Sequence, residues 1–310
     1  MILCIGTTPA VQRVMQFRKL ELDAVNRAVT TVDGVAGKSV NVAKVLRAFG
    51  QRVVATGFLG GDRGAVVAGE LERLGVRLDF VSIAARTRQC TTVIDQGGGT
   101  ITELVEESPP ATRANYESLG GIIQRHMANS RAVVMSGTLA PGGSPDFYRN
   151  CTEWAHGAGA LPVVDAQGVS LMEALKARPG LVKPNRVELA ATVGHPLQDE
   201  PGVMRAMEEL HTMGAERVVV TAGKDSTLAF DGKFFWRITS PSITAVNPIG
   251  SGDSVTAALV WRLLQGDDLG EACSWGSAAG AANALSLMAG ELELKEVERL
   301  RKLVQVEKVG

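Results

Sequence analysis

Cysteine is scarce and scattered in this chain. Cys4, Cys90, Cys151 and Cys273 stand far apart with no C-x-x-C spacing, which argues against both a zinc site and a disulfide framework and fits a reducing compartment. Neither sign of charge is in excess: 32 Lys plus Arg face 33 Asp plus Glu, a net of −1. Nucleic acid and anionic membranes therefore have no bulk electrostatic handle, and any anion recognition must be local. No uninterrupted apolar run reaches the ~18 residues needed to span a bilayer. The first residues, Ile2 to Ile5, already read as a strand, with no basic leader before them. These absences predict a cytoplasmic protein with no membrane and no nucleic-acid partner. His126, His156, His195 and His211 lack ligand spacing and read as surface or half-buried residues. Two phosphate fingerprints are missing as well. No G-x-G-x-x-G follows the first strand. Gly37-Lys38-Ser39 fails as a P-loop because Val32 stands where a glycine is required and no strand leads straight into it.

What is present is 45% apolar content in 310 residues, enough for a large α/β domain with a smaller attached element. Strand-like and helical periodicities alternate through Arg52–Phe58, Gly64–Leu74, Leu78–Ile83, Tyr116–Met127, Ala132–Met135, Pro145–His156 and Leu161–Val164. They continue through Leu181–Lys183, Arg186–Val193, Val203–Met213 and Arg217–Thr221, after which the final third reads as mostly helical from Gly252 to the Lys295–Val304 segment. Such alternation predicts a three-layer α/β/α sandwich with a mainly parallel central sheet, residues 1–310 forming one domain. Val11–Asp33 and Arg88–Leu104 break the pattern with alternating polar and apolar residues, the second bent by Gly97-Gly98-Gly99. They are expected to pair as antiparallel strands into a small β-lid, within about 11–33 and 86–105, over the C-terminal edge of the sheet where ligands bind. Two unrelated surface hairpins would leave the same pattern. The charged run Glu291 to Lys302 reads as a solvated helix face.

The densest motif is Asn247-Pro248-Ile249-Gly250-Ser251-Gly252-Asp253-Ser254, which opens an apolar-periodic helix. Glycines around Ser251 let backbone N–H groups converge at the positive end of that helix, where developing negative charge is stabilised. Asp253 within the turn is the candidate proton acceptor, kept ionised by the helix end. An ordinary glycine-rich loop capped by Asp or Ser has the same local pattern. Likewise, Gly37-Lys38 leading into a helix with Asn41 in its first turn can grip an anionic or hydroxylated ligand, or be a helix start with a solvated lysine.

Taken in order along the whole chain, these residues resemble the ribokinase-like (phosphofructokinase B) carbohydrate kinases. The two signatures are similar to Ala36-Gly37-Lys38-Ser39-Val40-Asn41-Val42-Ala43 and Ile249-Gly250-Ser251-Gly252-Asp253-Ser254. Between them, Gly57-Phe58-Leu59-Gly60-Gly61-Asp62, Ser136-Gly137-Thr138-Leu139-Ala140-Pro141 and Lys183-Pro184-Asn185 with Glu188 are similar to family landmarks. Thr87-Arg88 followed by Thr102-Glu103 resembles the sugar-phosphate branch that includes 1-phosphofructokinase and tagatose-6-phosphate kinase.

The resemblance implies an ATP- and Mg²⁺-dependent kinase of a phosphorylated ketohexose, and a homodimer through the lid. It gives Asp253 the acceptor hydroxyl's proton and the N–H groups of Gly250, Ser251 and Gly252 the transferred phosphoryl. Gln12, Gly37, Lys38, Asn41, Arg88, Glu103 and Ser136 would face the sugar phosphate, with Arg88 and Lys38 as an anion clamp. Asn185 and Glu188 would hold Mg²⁺ through water; Lys183, Thr221, Gly223 and Asn283 would serve the nucleotide. The chain departs from the pattern at three places. Thr8-Pro9-Ala10-Val11-Gln12 stands for Asn-Pro-x-x-Asp, Ala36 replaces a glycine, and Val105 stands where an Asn is common after the lid Glu. A kinase of an unphosphorylated sugar or nucleoside, or a silent sugar or nucleotide sensor, remain the rival readings.

Overall fold

The structure, a computed structural model, describes residues 1–309. Its first strand, β1 (Ile2–Gly6), is buried along its whole length, and so are β4 (Val53–Leu59) and β9 (Ala132–Ser136). Near-continuous apolar runs of this kind are what a parallel sheet covered on both faces demands. Between β1 and β4 come β2 (Ala10–Phe17), β3 (Thr30–Ala36) and α1 (Lys38–Ala48). After β4 follow α2 (Gly61–Arg73), the two-residue strands β5 (Arg77–Leu78) and β6 (Val81–Ser82), then β7 (Arg88–Asp95), β8 (Thr100–Val105) and α3 (Arg113–Met127). Beyond β9 the chain alternates through α4 (Phe147–Gly157), β10 (Leu161–Asp165), α5 (Gly168–Leu175), β11 (Leu181–Val182), α6 (Arg186–Val193), α7 (Glu200–Thr212) and β12 (Val218–Val220). It closes with β13 (Thr227–Phe230), β14 (Phe235–Thr239), α8 (Ser251–Leu263), α9 (Leu269–Ala284), α10 (Leu294–Arg301) and β15 (Gln305–Val309).

The large sheet runs β15-β14-β13-β12-β11-β10-β9-β1-β4-β5, parallel from β5 to β12 and antiparallel beyond. One apolar layer packs α1, α2, α8, α9 and α10 on one face. The other packs α3, α4, α5, α6 and α7 on the opposite face, which completes the α/β/α sandwich. The stretch from Gly252 to Val304 is mostly helical as expected, through α8, α9 and α10, whereas the antiparallel extension β13-β14-β15, which flanks it in sequence, was not foreseen. These strands are short, and β15 is largely exposed with charges at Glu307 and Lys308, so it carries the pattern of an edge strand rather than a core one. Glu291–Lys302 is helical only from Leu294, and its Val297 and Leu300 are buried.

A second sheet, ordered β3-β2-β7-β8, forms from the two alternating regions. Its outer pairs are antiparallel but the central pair β2–β7 is parallel, in register from Ala10↔Arg88 to Phe17↔Asp95. The all-antiparallel expectation is corrected here: more than fifty residues, including α1, β4 and α2, separate β3 from β7, so no hairpin dictates their direction. Gln12, Arg88, Cys90 and Glu103 share one face, because Gln12 pairs with Cys90 and Glu103 with Thr92 across the strands. No helix among the described residues is long and apolar enough to cross a membrane.

Candidate active site

A cleft of about 380 Å³ opens where the second sheet faces the C-terminal ends of the parallel strands. From the second sheet come Gln12, Arg88, Cys90, Glu103 and Val105; from the start of α1 come Gly37, Lys38 and Asn41. The floor is Lys183, Asn185, Glu188 and Thr221, and the far wall is Ile249, Gly250, Gly252 and Asp253.

The far wall is built by backbone conformation. Gly250 takes φ 82, the left-handed region, and starts α8 with no side-chain cap from any described residue. The first-turn N–H groups of Gly252 and Asp253 are therefore left for a ligand, at the positive end of a 13-residue helix. Ser251 is different from what its motif suggests. Its N–H donates to the Pro248 carbonyl at 3.1 Å, so it is spent on the turn and is not free for a phosphoryl group.

Asp253 sits at the third position of α8, only 6% exposed, and accepts a 2.7 Å hydrogen bond from Asn41 Nδ2. Burial and the neighbouring Asp165 push its pKa up to about 7, against the pull of Lys38, the Asn41 hydrogen bond and Lys183. The helix end thus does not keep this carboxylate fully ionised, as the sequence pattern predicted; desolvation outweighs it.

Beneath it lies a charge network whose centre the sequence reading missed. Asp165, the last residue of β10, is fully buried between Lys38 Nζ at 3.0 Å and Lys183 Nζ at 3.2 Å, and accepts from Thr256 Oγ1 at 2.8 Å. Burial alone would raise its pKa, but Lys183, Lys38 and these hydrogen bonds hold it down at about 2. The available signal was a carboxylate closing an otherwise apolar strand at the ligand-binding edge. Lys38 also donates to Glu188 Oε1 at 2.9 Å, and its three acidic neighbours hold it protonated despite burial. Glu188 in turn forms a capping box with Asn185: each side chain takes the other's backbone N–H at 2.8 Å.

On the second sheet, Gln12 is 2% exposed and donates to Thr92 Oγ1 at 2.6 Å, while its Oε1 has no partner among the described residues. Arg88 donates to the Thr8 carbonyl at 3.2 and 2.9 Å and to the Glu106 carbonyl at 3.4 Å. Lys38 and Arg88 are thus each engaged with the protein, Lys38 with Asp165 and Glu188 and Arg88 with the Thr8 and Glu106 carbonyls.

A glycine turn at a helix start, a carboxylate with a near-neutral pKa behind it and two lysines paired with Asp165 form a site for transferring a charged group. The pfkB family carbohydrate kinase profile matches residues 1–294. The chain belongs to this family. It is 28% identical over 309 residues to a tagatose-6-phosphate kinase of Staphylococcus epidermidis, covering 99% of both chains. Phosphofructokinase-2 of Escherichia coli, solved in complex with potassium, superposes with a TM-score of 0.89 at 25% identity, covering 97% of this chain and 98% of that one. A Thermotoga maritima protein described as a possible 1-phosphofructokinase shares the fold at a TM-score of 0.92 and 22% identity, covering 100% and 99%.

Four of the residues singled out in this carbohydrate kinase lie off the cleft walls. Ser136 is 1% exposed at the end of β9, with its hydroxyl unpartnered among the described residues. Ser251 is engaged as described, and Gly223 (φ 63) shapes the turn after Thr221. Asn283 is fully buried: it donates to the Ile249 carbonyl at 2.9 Å and Ser251 Oγ at 3.3 Å, and accepts from Ser254 Oγ and the Gly290 N–H. It braces the turn from inside and has no face toward a nucleotide, because the small residues around it in α9 close the packing.

Proposed function

We propose that this kinase transfers the γ-phosphoryl of ATP to a hydroxymethyl group of a phosphorylated ketohexose, an activity closest to 1-phosphofructokinase. One observation carries the reading: Asp253 lies buried beside an uncapped helix start with its pKa near neutrality. A base poised there takes the acceptor's proton at working pH, while the Gly252 and Asp253 N–H groups and the helix end meet the charge that develops on the phosphoryl. Gly250 contributes the left-handed bend that aims them. Lys183 supports the same charge, since a Cβ added to Gly252 would lie 3.5 Å from its Nζ. The name of the Staphylococcus epidermidis relative supports a sugar-phosphate acceptor.

Mg²⁺ belongs to this reading through Asn185 and Glu188. No group of three or more acidic, histidine or cysteine ligands forms among the described residues, so the protein offers no cage of its own. A carboxylate and an amide at the cleft fit a hydrated ion carried by the nucleotide's phosphates. When bound, that ion neutralises phosphate charge; Thr221 and the Gly223 turn would border the nucleotide. We place the kinase in the cytoplasm as a homodimer through the second sheet, whose edge strand β8 exposes Leu104 and Val105.

A second reading, a kinase of unphosphorylated sugars or nucleosides, is favoured by the engagement of Lys38 with carboxylates and of Arg88 with carbonyls. One assay separates the two: ATP turnover with fructose 1-phosphate, fructose 6-phosphate, tagatose 6-phosphate and free fructose. Preference for a phosphorylated hexose is expected. Equal or better turnover of free fructose would overturn the acceptor assignment.

A further inference from the structure

One buried charge has no part in the cleft. Lys44 lies six residues after Lys38 on α1, its side chain 3% exposed. Its ammonium donates to the Ala289 carbonyl at 2.7 Å and the Val35 carbonyl at 3.4 Å, with Glu291 Oε1 at 3.6 Å. A desolvated ammonium is stable only when such partners replace its water, so the contacts it makes are ones the fold must hold in place.

What it holds is the segment behind the phosphoryl turn. Gly250 packs so tightly on Ala289 that an added Cβ would lie 2.7 Å from Ala289 Cβ and 3.1 Å from its Cα. The next residue, Gly290, donates its N–H to Asn283 Oδ1 at 2.7 Å, and Asn283 donates onward to the Ile249 carbonyl at 2.9 Å. One residue before Ala289, Met288 packs with Val14 and Ile94 beneath the second sheet. Asn247 Nδ2 donates to the Leu287 carbonyl at 2.7 Å. Residues 287–290 are thus a strap that touches the turn on one side and the second sheet on the other, and Lys44 fastens it to α1.

We propose that Lys44 is a positioning residue for phosphoryl transfer: by fixing Ala289 it fixes the Gly250–Gly252 turn, without touching either substrate. The inference rests on the kinase reading above. Loss of the ammonium frees the strap, and a displacement of the turn by about 1 Å is enough to lower a transfer rate ~10²-fold.

The test uses Lys44→Met, which keeps length but removes the charge, and Lys44→Gln, which keeps one donor for Ala289 should the methionine variant not fold. Melting temperature is measured first, and kinetics are read where each variant is folded. The expected result is a fall in kcat of ~10² for Met and less for Gln, with KM for ATP and for the hexose phosphate within about threefold of wild type. A second readout is independent of the acceptor: both variants should bind ADP normally but lose the tighter binding of ADP with aluminium fluoride and Mg²⁺, a mimic of the transferring phosphoryl. Unchanged kcat in a folded variant, equal losses in KM, or retained aluminium-fluoride tightening would overturn the role of Lys44. Absence of wild-type turnover with every hexose phosphate would instead overturn the acceptor assignment, and the nucleotide readout would still judge Lys44.

Discussion

At the floor and far wall of the cleft every ionisable group is held by a side chain of the protein. Asp165 meets Lys38 and Lys183, Lys38 meets Glu188, and Asp253 is held by Asn41. On the second sheet, across the same cleft, polar groups lean on neutral partners or on nothing: Arg88 on the Thr8 carbonyl, Gln12 on the Thr92 hydroxyl with its Oε1 unpartnered among the described residues. The floor is rigid because breaking any member strands a buried charge. The sheet is permissive because its groups keep capacity for a ligand, and an unpartnered buried acceptor is stabilised when a hydroxyl arrives. Chemistry and recognition are divided between the two, and substitutions on each side should fail in different ways.

The largest effect belongs to the far wall. Asp253→Asn should lower kcat at least ~10²-fold while leaving nucleotide binding nearly intact, because the amide keeps the shape but cannot take a proton. Retention of more than about a tenth of wild-type kcat at saturating substrates would remove Asp253 from the base's role. The wild-type profile of kcat/KM against pH should rise with a midpoint near about 7, since the base works only when deprotonated. Stability should run the other way. Between the unfolded value of 3.8 and about 7 the folded chain keeps a proton that the unfolded chain releases, so rising pH removes stability across that window. Asp253→Asn abolishes this titration. Its melting temperature should exceed wild type's above neutrality, with the gap smaller at about pH 5 than at about pH 8. A constant gap would show that Asp253 titrates normally.

The same division explains what the sequence made legible. Parallel strands such as Ile2–Gly6 and Ala132–Ser136 announce themselves because both faces are buried, and the glycine turn before α8 announces itself because only glycine takes its bend. The cleft lining of Gln12, Lys38, Asn41, Arg88 and Glu103 was readable only through motif order, since no local pattern distinguishes them from solvated residues. Asp165 left only the weak signal of a carboxylate closing an apolar strand and Lys44 left none, because the partners that give them meaning, Lys38 for the one and Ala289 for the other, lie more than a hundred residues away in sequence. Asn283 and the Ser251 N–H were misread for a related reason: a motif gives proximity to the turn, but which hydrogen bonds are already taken is a property of the packed state.

Arg88→Ala comes next in size and should strike recognition alone. KM for the phosphorylated acceptor should rise by roughly ten- to a hundredfold, the worth of a charged hydrogen bond at about 1.5–3 kcal/mol, while KM for ATP changes little. For that to happen Arg88 must exchange the Thr8 carbonyl for the acceptor's phosphate, which its exposed Glu106 side leaves room to do. Equal effects on both substrates would mean that Arg88 only staples β7 to the loop after β1, and the second sheet would lose its claim to recognition.

Gln12 offers the finest division between the two regions. Its Nε2 is committed to Thr92, so what it presents to the cleft is a neutral oxygen that can only accept. Gln12→Glu keeps the reach and adds a charge near Glu103 and Asp253, while Thr92 can still donate to the new carboxylate. A carboxylate accepts a sugar hydroxyl more strongly than an amide does, but it also repels an acceptor that already carries phosphate. The ratios of kcat/KM among fructose 1-phosphate, fructose 6-phosphate and tagatose 6-phosphate should therefore shift by about tenfold, roughly one hydrogen bond's worth, with kcat on the best acceptor nearly unchanged. Unaltered ratios would show that Gln12 braces Thr92 and never meets the sugar. A fall in kcat shared by all three sugars would show instead that charge on the second sheet reaches Asp253, and that the two regions are electrostatically one.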